Sequence, residues 1–333
     1  MRHLKFFKEL NKNTVEIAGG KGASLGEMIN NKIPVPNGFV VLASAFDRFV
    51  EETHLKEEIE ARLAEVNPDD INTVDKASNI IRDVIHDVPM PEDLTKEILT
   101  AYDQLGAEHV AVRSSATAED SDVASWAGEL ESYLNTTREN VVERVKNCWS
   151  SLFTPRAIFY RHEKNLIDAY VSVAVVIQKM VQSEISGITF TVHPVTEDYN
   201  QMIIEAAYGL GEAIVGGLVT PDSYIVHKDD MSIFDINVGH QTRKLMKVLK
   251  HKNIKTKEQK FVKDEDEMNE WIELDSEGEK QKLSGKQIIE IAEVCNKIEE
   301  HYGFPCDIEW AMDSAGKIFI TQSRPITTLK NNS

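Results

Sequence analysis

The sequence predicts a mixed α+β protein in two lobes, and three observations carry that reading. Apolar residues at helical intervals dominate the chain up to about residue 170, interrupted by only a few short strand-like runs. From there to about residue 209 β-branched runs take over. A strongly amphipathic helix and two strands then close the sequence. The change of pattern near 170–185 marks the expected boundary, giving lobes at 1–180 and 181–330.

Each element has a local reason. A helix begins near the glycines at 19, 20 and 22, continues through Glu27 to Asn31, and is ended by Pro34 and Pro36. A turn, a strand at Phe39–Leu42 and a helix opened by Ser44 follow. Helices are expected at about 75–86 and 92–105, joined by the PMP turn at 89–91, and then the strand HVAVRSSA. Val141, Val145, Trp149, Leu152 and Phe153 place one long helix at about 138–165. VSVAVVIQKMV at 171–181 is a continuous strand, and GITFTVHP and QMIIEAAYG are strands separated by turn signals. The charged run from Lys244 to Lys282 reads as a solvated insertion or a pair of strands with a loop. The last helix is capped by Ser284 and stopped by Gly303. CDIEWAMD and KIFITQSRP then pair around a turn at Ser314–Gly316.

Composition narrows the function. The 333 residues are 41% apolar, enough for real cores, and 37 Lys+Arg against 55 Asp+Glu give a formal net charge of −18. Such a polyanion is not expected to bind nucleic acid through its bulk field. A phosphate compound can still bind where a few cations are gathered. The three cysteines, Cys148, Cys295 and Cys306, lack the spacing of a disulfide or zinc scaffold. No leader and no membrane-length apolar window is evident, so a cytoplasmic location is expected.

Five segments could carry chemistry. AGGKGASLGEM at 18–28 leads glycines, including Gly20, into a helix N-terminus beside Lys21, which suits an anion; a helix entry that merely needs glycine reads the same way. In VAVRSSATAEDS, Arg113 ends an apolar strand with Ser114, Ser115 and Thr117 as hydroxyl donors. This suits phosphate oxygens, or else Arg113 simply pairs with Glu119 or Asp120. Further along the same segment, which runs to 136, SWAGE at 125–129 has the composition of a lid with Gly128 at its tip. On the closing hairpin, alternation puts Asp307 and Glu309 on one face and Gln322 and Arg324 likewise on the returning strand. These are oxygen ligands of the kind Mg²⁺ uses, or the partners of cross-strand salt bridges. QKMV at 178–181 ends a buried strand where backbone groups could read a purine edge, or where the core simply ends. AAYGLGEAIVGG turns into a helix with Glu212 near its start.

Taken together and in order, GGKGASLGEM, VPNGFVV, VAVRSSATAEDS, WAGELESYLN, SLFTPRAIFYR, QKMV, GITFTVHPVT, EAAYGLGEAIVGGLVTPD and DIEWA…QSRPIT resemble the nucleotide-binding domain of the phosphoenolpyruvate synthase (pyruvate, water dikinase) family over about residues 4–327. That resemblance implies an ATP-grasp-like fold with ATP between two lobes. It implies phosphate contacts from Lys21, Arg113 and Arg324, and Mg²⁺ ligation by Glu309 and Gln322 with Asp307 in support. It also implies an adenine-side hinge at Gln178, Lys179, Met180 and Val181. The family cleaves ATP to AMP and passes a phosphoryl group to a histidine on a separate domain, which a pyruvate-binding domain then uses. Neither segment is recognisable in this sequence, and His193 in TVHPVT is not expected to be the phosphocarrier. The expected partner is therefore a phosphohistidine and pyruvate-binding domain, in the same protein or on a separate chain. The nucleotide half of a rifampicin-type phosphotransferase shares these motifs, and a non-catalytic ATP-sensing module would keep the same residues.

Overall fold

A computed structural model describes residues 2–117, 131–163, 172–248, 269–327 and 329. The chain forms two compact units, one of Met1–Lys32 with Pro36–Met180, the other of Ile33–Val35 with Val181–Ser333.

The first unit contains β1 (Leu4–Phe6), α1 (Val15–Asn30), β2 (Gly38–Val41), α2 (Ala43–Glu52), α3 (Leu55–Ala64), α4 (Ile71–Asp87), α5 (Glu92–Leu105), β3 (Val110–Ala116), β4 (Ser132–Thr136), α6 (Val141–Ser150), α7 (Pro155–Glu163) and β5 (Val173–Lys179). Its sheet runs β1-β2-β5-β3-β4, antiparallel throughout. Central β5 is covered on both faces, so its sequence VAVVI is apolar without alternation. One set of alternate residues, Phe39, Val41, Val112, Val175 and Ile177, joins a core with Phe46, Phe49 and Trp149 of α2 and α6. The other set, which includes Val40 and Val176, faces α1.

Three expectations for this unit need correction. Helix α2 already starts at Ala43 with Leu42 in the cap position, so Ser44 lies inside it and does not open it. The long helix at 138–165 is broken into α6, a 3-10 turn at Ser151–Phe153, and α7. Pro155 forces Thr154 out of the helical region, to ψ 155°, and opens the second helix at a position where its missing N–H is harmless. The glycine-rich helix also starts earlier than expected: α1 already turns from Val15, and Gly19, at φ 68° and ψ 169°, kinks it.

The second unit contains β6 (Ile185–Phe190), β7 (Gln201–Tyr208), α8 (Gly211–Val215), β8 (Asp222–His227), β9 (Ser232–Asn237), β10 (Arg243–Lys247), β11 (Asn269–Glu273), α9 (Gly285–Tyr302), β12 (Cys306–Met312) and β13 (Ile318–Pro325). Six strands form an antiparallel sheet in the order β13-β12-β6-β7-β8-β9. Helix α9 begins with the expected capping box, Ser284 N–H donating to Gln287 Oε1 at 2.9 Å, and ends at Gly303 with φ 78°. It packs on the sheet face that carries Ile308, Trp310, Met202, Ile204 and Tyr224. Gly187 lets the Trp310 indole lie against the sheet, because a Cβ there would sit 2.2 Å from the ring. The indole N–H donates to Thr189 Oγ1 at 3.1 Å.

The charged run from 244 resolves into the antiparallel pair β10 and β11, with Arg243 stacked 4.1 Å over the Trp271 ring centroid. Its loop at 249–268 lies outside the described residues. Beside it is an ion pair with no exposure on either side chain. Lys282 Nζ meets Asp222 Oδ1 at 2.8 Å and donates to Gly239 O at 2.6 Å, while Tyr224 O–H and Lys282 N–H donate to Asp222 Oδ2. Every lone pair that burial would orphan is thus matched. Gln241, also buried, works as a substitute strand residue: its Oε1 accepts from Tyr208 N–H at 2.8 Å and its Nε2 donates to Tyr208 O at 2.9 Å.

Candidate functional site

In the first unit, Lys21 and Arg113 are brought to the same side of the sheet by one device. Ser115 Oγ donates to Ala18 O at 3.0 Å and accepts from Gly22 N–H at 3.4 Å, so a single hydroxyl bridges the two sides of the Gly19 kink. No side chain fits at Gly19: φ is positive, and a Cβ would lie 2.1 Å from Ser115 Oγ and 2.4 Å from Ser115 O. The kink restarts the helix at buried Gly20, and half-buried Lys21 follows in its first turn. Arg113 lies two residues before Ser115 on β3. It is in register with Val176, which is itself in register with Val40, the residue that Gly22 of α1 approaches. Strand alternation therefore puts Arg113 and Ser115 on the α1 side.

Ser114, between them, points the other way. Its hydroxyl donates to Glu131 O at 3.1 Å and lies 3.1 Å from Ser151 Oγ and 3.3 Å from Cys148 O. It is a packing hydroxyl, in place of the phosphate donor expected from its neighbourhood. Thr117 is likewise committed, donating to Ser172 O at 3.1 Å. Gly128 and the SWAGE lid, together with Glu119 and Asp120, lie outside the described residues.

The segment 178–181 passes from the first unit to the second. Gln178 is buried, with its amide 3.5 Å from Pro36 O. Lys179 N–H donates to Asn37 O at 2.8 Å and Met180 N–H to His109 O at 3.0 Å. Those two donors are already used in the first unit, so a purine edge would have to be read by other groups of Lys179 and Val181.

In the second unit the closing hairpin sets Glu309 directly opposite Gln322, and Asp307 opposite Arg324. Because Ile308 and Trp310 fill the α9 face, these four share the opposite, half-open face. Arg324 reaches Asp307 Oδ2 through Nε at 2.9 Å and Nη2 at 2.8 Å. Both donors use one oxygen, and among the described residues buried Asp307 Oδ1 has no hydrogen-bond partner. Burial pushes the Asp307 carboxyl above the usual range against the pull of Arg324, with Glu309 adding to the rise. The same face holds a carboxylate that sequence reasoning missed. Glu205 of β7 is in register with Ile188, which is in register with Glu309. Its pKa is raised by burial and then by Asp307. The signal was available, since Glu205 alternates with buried Ile204 and Ala206 in a strand flanked by apolar residues. Glu212 sits in the first turn of α8, and Ser186 Oγ, on this same sheet face, donates to Gly209 O at 2.8 Å just before it. Burial raises the Glu212 carboxyl as well.

His193 and the three cysteines, which the sequence did not offer as site residues, are engaged elsewhere. His193 Nδ1 accepts from the backbone N–H groups of Val195 and Thr196, which ties the ring to its own loop. All three cysteines are buried and unbridged, and burial pushes the Cys148 thiol up to about 12, far from a reactive thiolate.

Residues 15–333 match the family model described as pyruvate phosphate dikinase, AMP/ATP-binding domain. The chain belongs to that dikinase family. It is 46% identical over 99% of its length to a protein named probable phosphoenolpyruvate synthase from Methanocaldococcus jannaschii, covering 27% of that protein. It is likewise 46% identical to one of the same name from Archaeoglobus fulgidus, over 97% of this chain and 41% of that protein, and 42% identical to phosphoenolpyruvate synthase of Pyrococcus furiosus, over 99% and 44%. The chain thus spans less than half the length of these relatives. Among the described residues, no helix of this dikinase-family domain is long and apolar enough to cross a membrane.

Proposed function

We propose that the chain binds Mg²⁺·ATP and donates a phosphoryl group to a histidine on a phosphohistidine domain, within the same protein or on a separate chain. The overall reaction is that of the named relatives' class, ATP, pyruvate and water giving AMP, phosphoenolpyruvate and phosphate. The reading takes the fold to be ATP-grasp-like, with residues of both units serving one nucleotide in the cytoplasm. The family match and the order of the motifs along the chain support it. The observation that carries it is the Ser115 lock at Gly19, which presents Lys21 on the same side of the sheet as Arg113. In a chain of net charge −18, two cations positioned by so specific a device are suited to phosphate oxygens.

The second unit fits the metal. Glu309 and Gln322 offer two oxygens directly across a strand pair, and Asp307 Oδ1 is a buried acceptor awaiting a partner. Mg²⁺ held there would neutralise phosphate charge during transfer. The protein's own work is positioning: Lys21, Arg113 and Arg324 hold phosphate oxygens, Asp307 orients Arg324, and groups of Lys179 and Val181 other than the engaged Lys179 N–H read the base. Ser114 has no role in this reading.

Turnover tests the proposal. The chain is incubated with ATP, Mg²⁺ and a histidine-bearing domain of a synthase relative, and AMP and phosphohistidine are measured. Both are expected, and both lost in Lys21→Ala and Arg113→Ala. Tight ATP binding without AMP under any of these conditions would point instead to a nucleotide sensor. Transfer onward to an antibiotic and never to pyruvate would point to a rifampicin-type enzyme.

A further inference from the structure

The half-open face of the second sheet carries one carboxylate with no assigned task. In the row Gln322, Glu309, Ile188, Glu205, directly paired residues of adjacent strands project to the same side. Glu205 stands two strands from Glu309, about 10 Å between backbones at the usual strand spacing. Among the described residues, no donor or cation lies within hydrogen-bonding or ion-pair distance of its carboxylate, although the residue is only partly exposed. By contrast, two other half-buried carboxylates of this unit have cations beside them: Asp307 has Arg324, and Glu299 has Lys228 at 2.7 Å. A lone carboxylate held at the centre of a sheet is unfavourable unless something positive comes to it. The neighbouring Asp307 Oδ1 is also without a hydrogen-bond partner among the described residues, on the same face.

We propose that Glu205 is an outer carboxylate of the divalent-cation site, holding through water the metal that Glu309 and Gln322 ligate directly. The separation suits this role. Mg²⁺ binds through few protein carboxylates and keeps several waters, which need acceptors of their own. A carboxylate two strands away can accept from that water shell, and such outer partners change metal affinity substantially without touching the ion. Ile188, between the two glutamates, keeps their side chains apart and makes the intervening surface apolar.

The inference rests on the Mg²⁺·ATP reading, and its test separates the two. Mn²⁺, which takes the same oxygen ligands, is titrated by electron paramagnetic resonance into the ATP-loaded chain, in the wild type, Glu205→Gln and Glu309→Gln. Metal-free ATP affinity and thermal unfolding are measured alongside. Glu205→Gln is expected to weaken Mn²⁺ binding by roughly tenfold, to leave metal-free ATP affinity unchanged, and to raise the metal-free Tm. Wild-type Mn²⁺ affinity in Glu205→Gln, with weakened binding in Glu309→Gln, overturns the role of Glu205 and leaves the metal site standing. A lowered Tm with parallel loss of metal-free ATP binding overturns it too, since the residue would then be structural. If the wild-type ATP complex takes up no Mn²⁺ beyond that of free ATP, the metal-site reading fails and this inference with it.

Discussion

The two sheets of this protein solve the same problem differently. The first is covered on both faces, so its central strand β5 is apolar from Val173 to Ile177, and its charged residues are held by close helix-to-strand contact at Gly19 and Ser115. The second has α9 on one face and leaves the other half open. Its polar residues need no special device, because strand alternation alone places Asp307, Glu309, Gln322 and Arg324 together. What the second unit needs instead is anchorage of the segments beside the sheet, and the buried Asp222–Lys282 pair and the Gln241 clamp supply it. A covered sheet is fixed by shape, and a half-open one by specific polar ties.

Substitutions can break that contrast, and the largest effect is expected in the second unit. Lys282→Met leaves Asp222 buried and uncompensated, and should destabilise that unit by about 3–5 kcal/mol, read by hydrogen exchange of β8 against β3. Gly19→Ala strikes the first unit's counterpart. With positive φ and a Cβ 2.1 Å from Ser115 Oγ, it should cost on the order of 3 kcal/mol. Its protection loss should centre on α1 and β3 and leave β8 unchanged.

Smaller and opposite effects should follow from pH. His86 titrates below its ordinary 6.5, chiefly because burial opposes its charge, with Lys146 and Arg82 adding to this. The unfolded chain therefore takes up that proton first, and the first unit should lose stability as pH falls below about 6.5. His86→Asn should flatten that limb in urea titrations. Glu205 shifts the other way, raised above its ordinary 4.5 by burial and Asp307. Here the folded state takes up the proton first, so stability is fully present below about 4.5 and is lost as pH rises through the raised value. Hydrogen exchange at pH 5 and 7 should show the two units moving in opposite senses. The same sense of change in both would contradict the assignment.

Much of the second unit was legible because alternation and capping are local. The Ser284–Gln287 box, the Gly303 stop and the shared face of Asp307 and Glu309 follow from spacing alone. The break at Thr154–Pro155 was equally local, but the apolar repeat through Phe153 concealed it. What could not be read was long-range. Ser114 and Ser115 are adjacent and chemically identical. Only the packing of α6 on one side and α1 on the other makes the first a core hydroxyl and the second the lock at Gly19. Gln241 pairing with the Tyr208 backbone 33 residues earlier leaves no trace in composition or period. Of the proposed site residues, Lys21, Arg113, Glu309 and Gln322 were visible through their motifs, whereas Glu205 emerged only once strand register was known.

The proposed division of labour has Lys21 and Arg113 of the first unit, together with Arg324, meeting phosphate, and Glu309 and Gln322 of the second unit meeting the metal. Calorimetric titration of ATP with and without Mg²⁺ tests it directly, using the wild type, Lys21→Ala, Arg113→Ala and Glu309→Gln. The two cation variants should lose roughly tenfold or more in affinity under both conditions, as expected for charged hydrogen bonds to phosphate. Glu309→Gln should lose only the increment that Mg²⁺ adds. Unchanged ATP affinity in both Lys21→Ala and Arg113→Ala, or equal losses with and without Mg²⁺ in Glu309→Gln, would contradict the account.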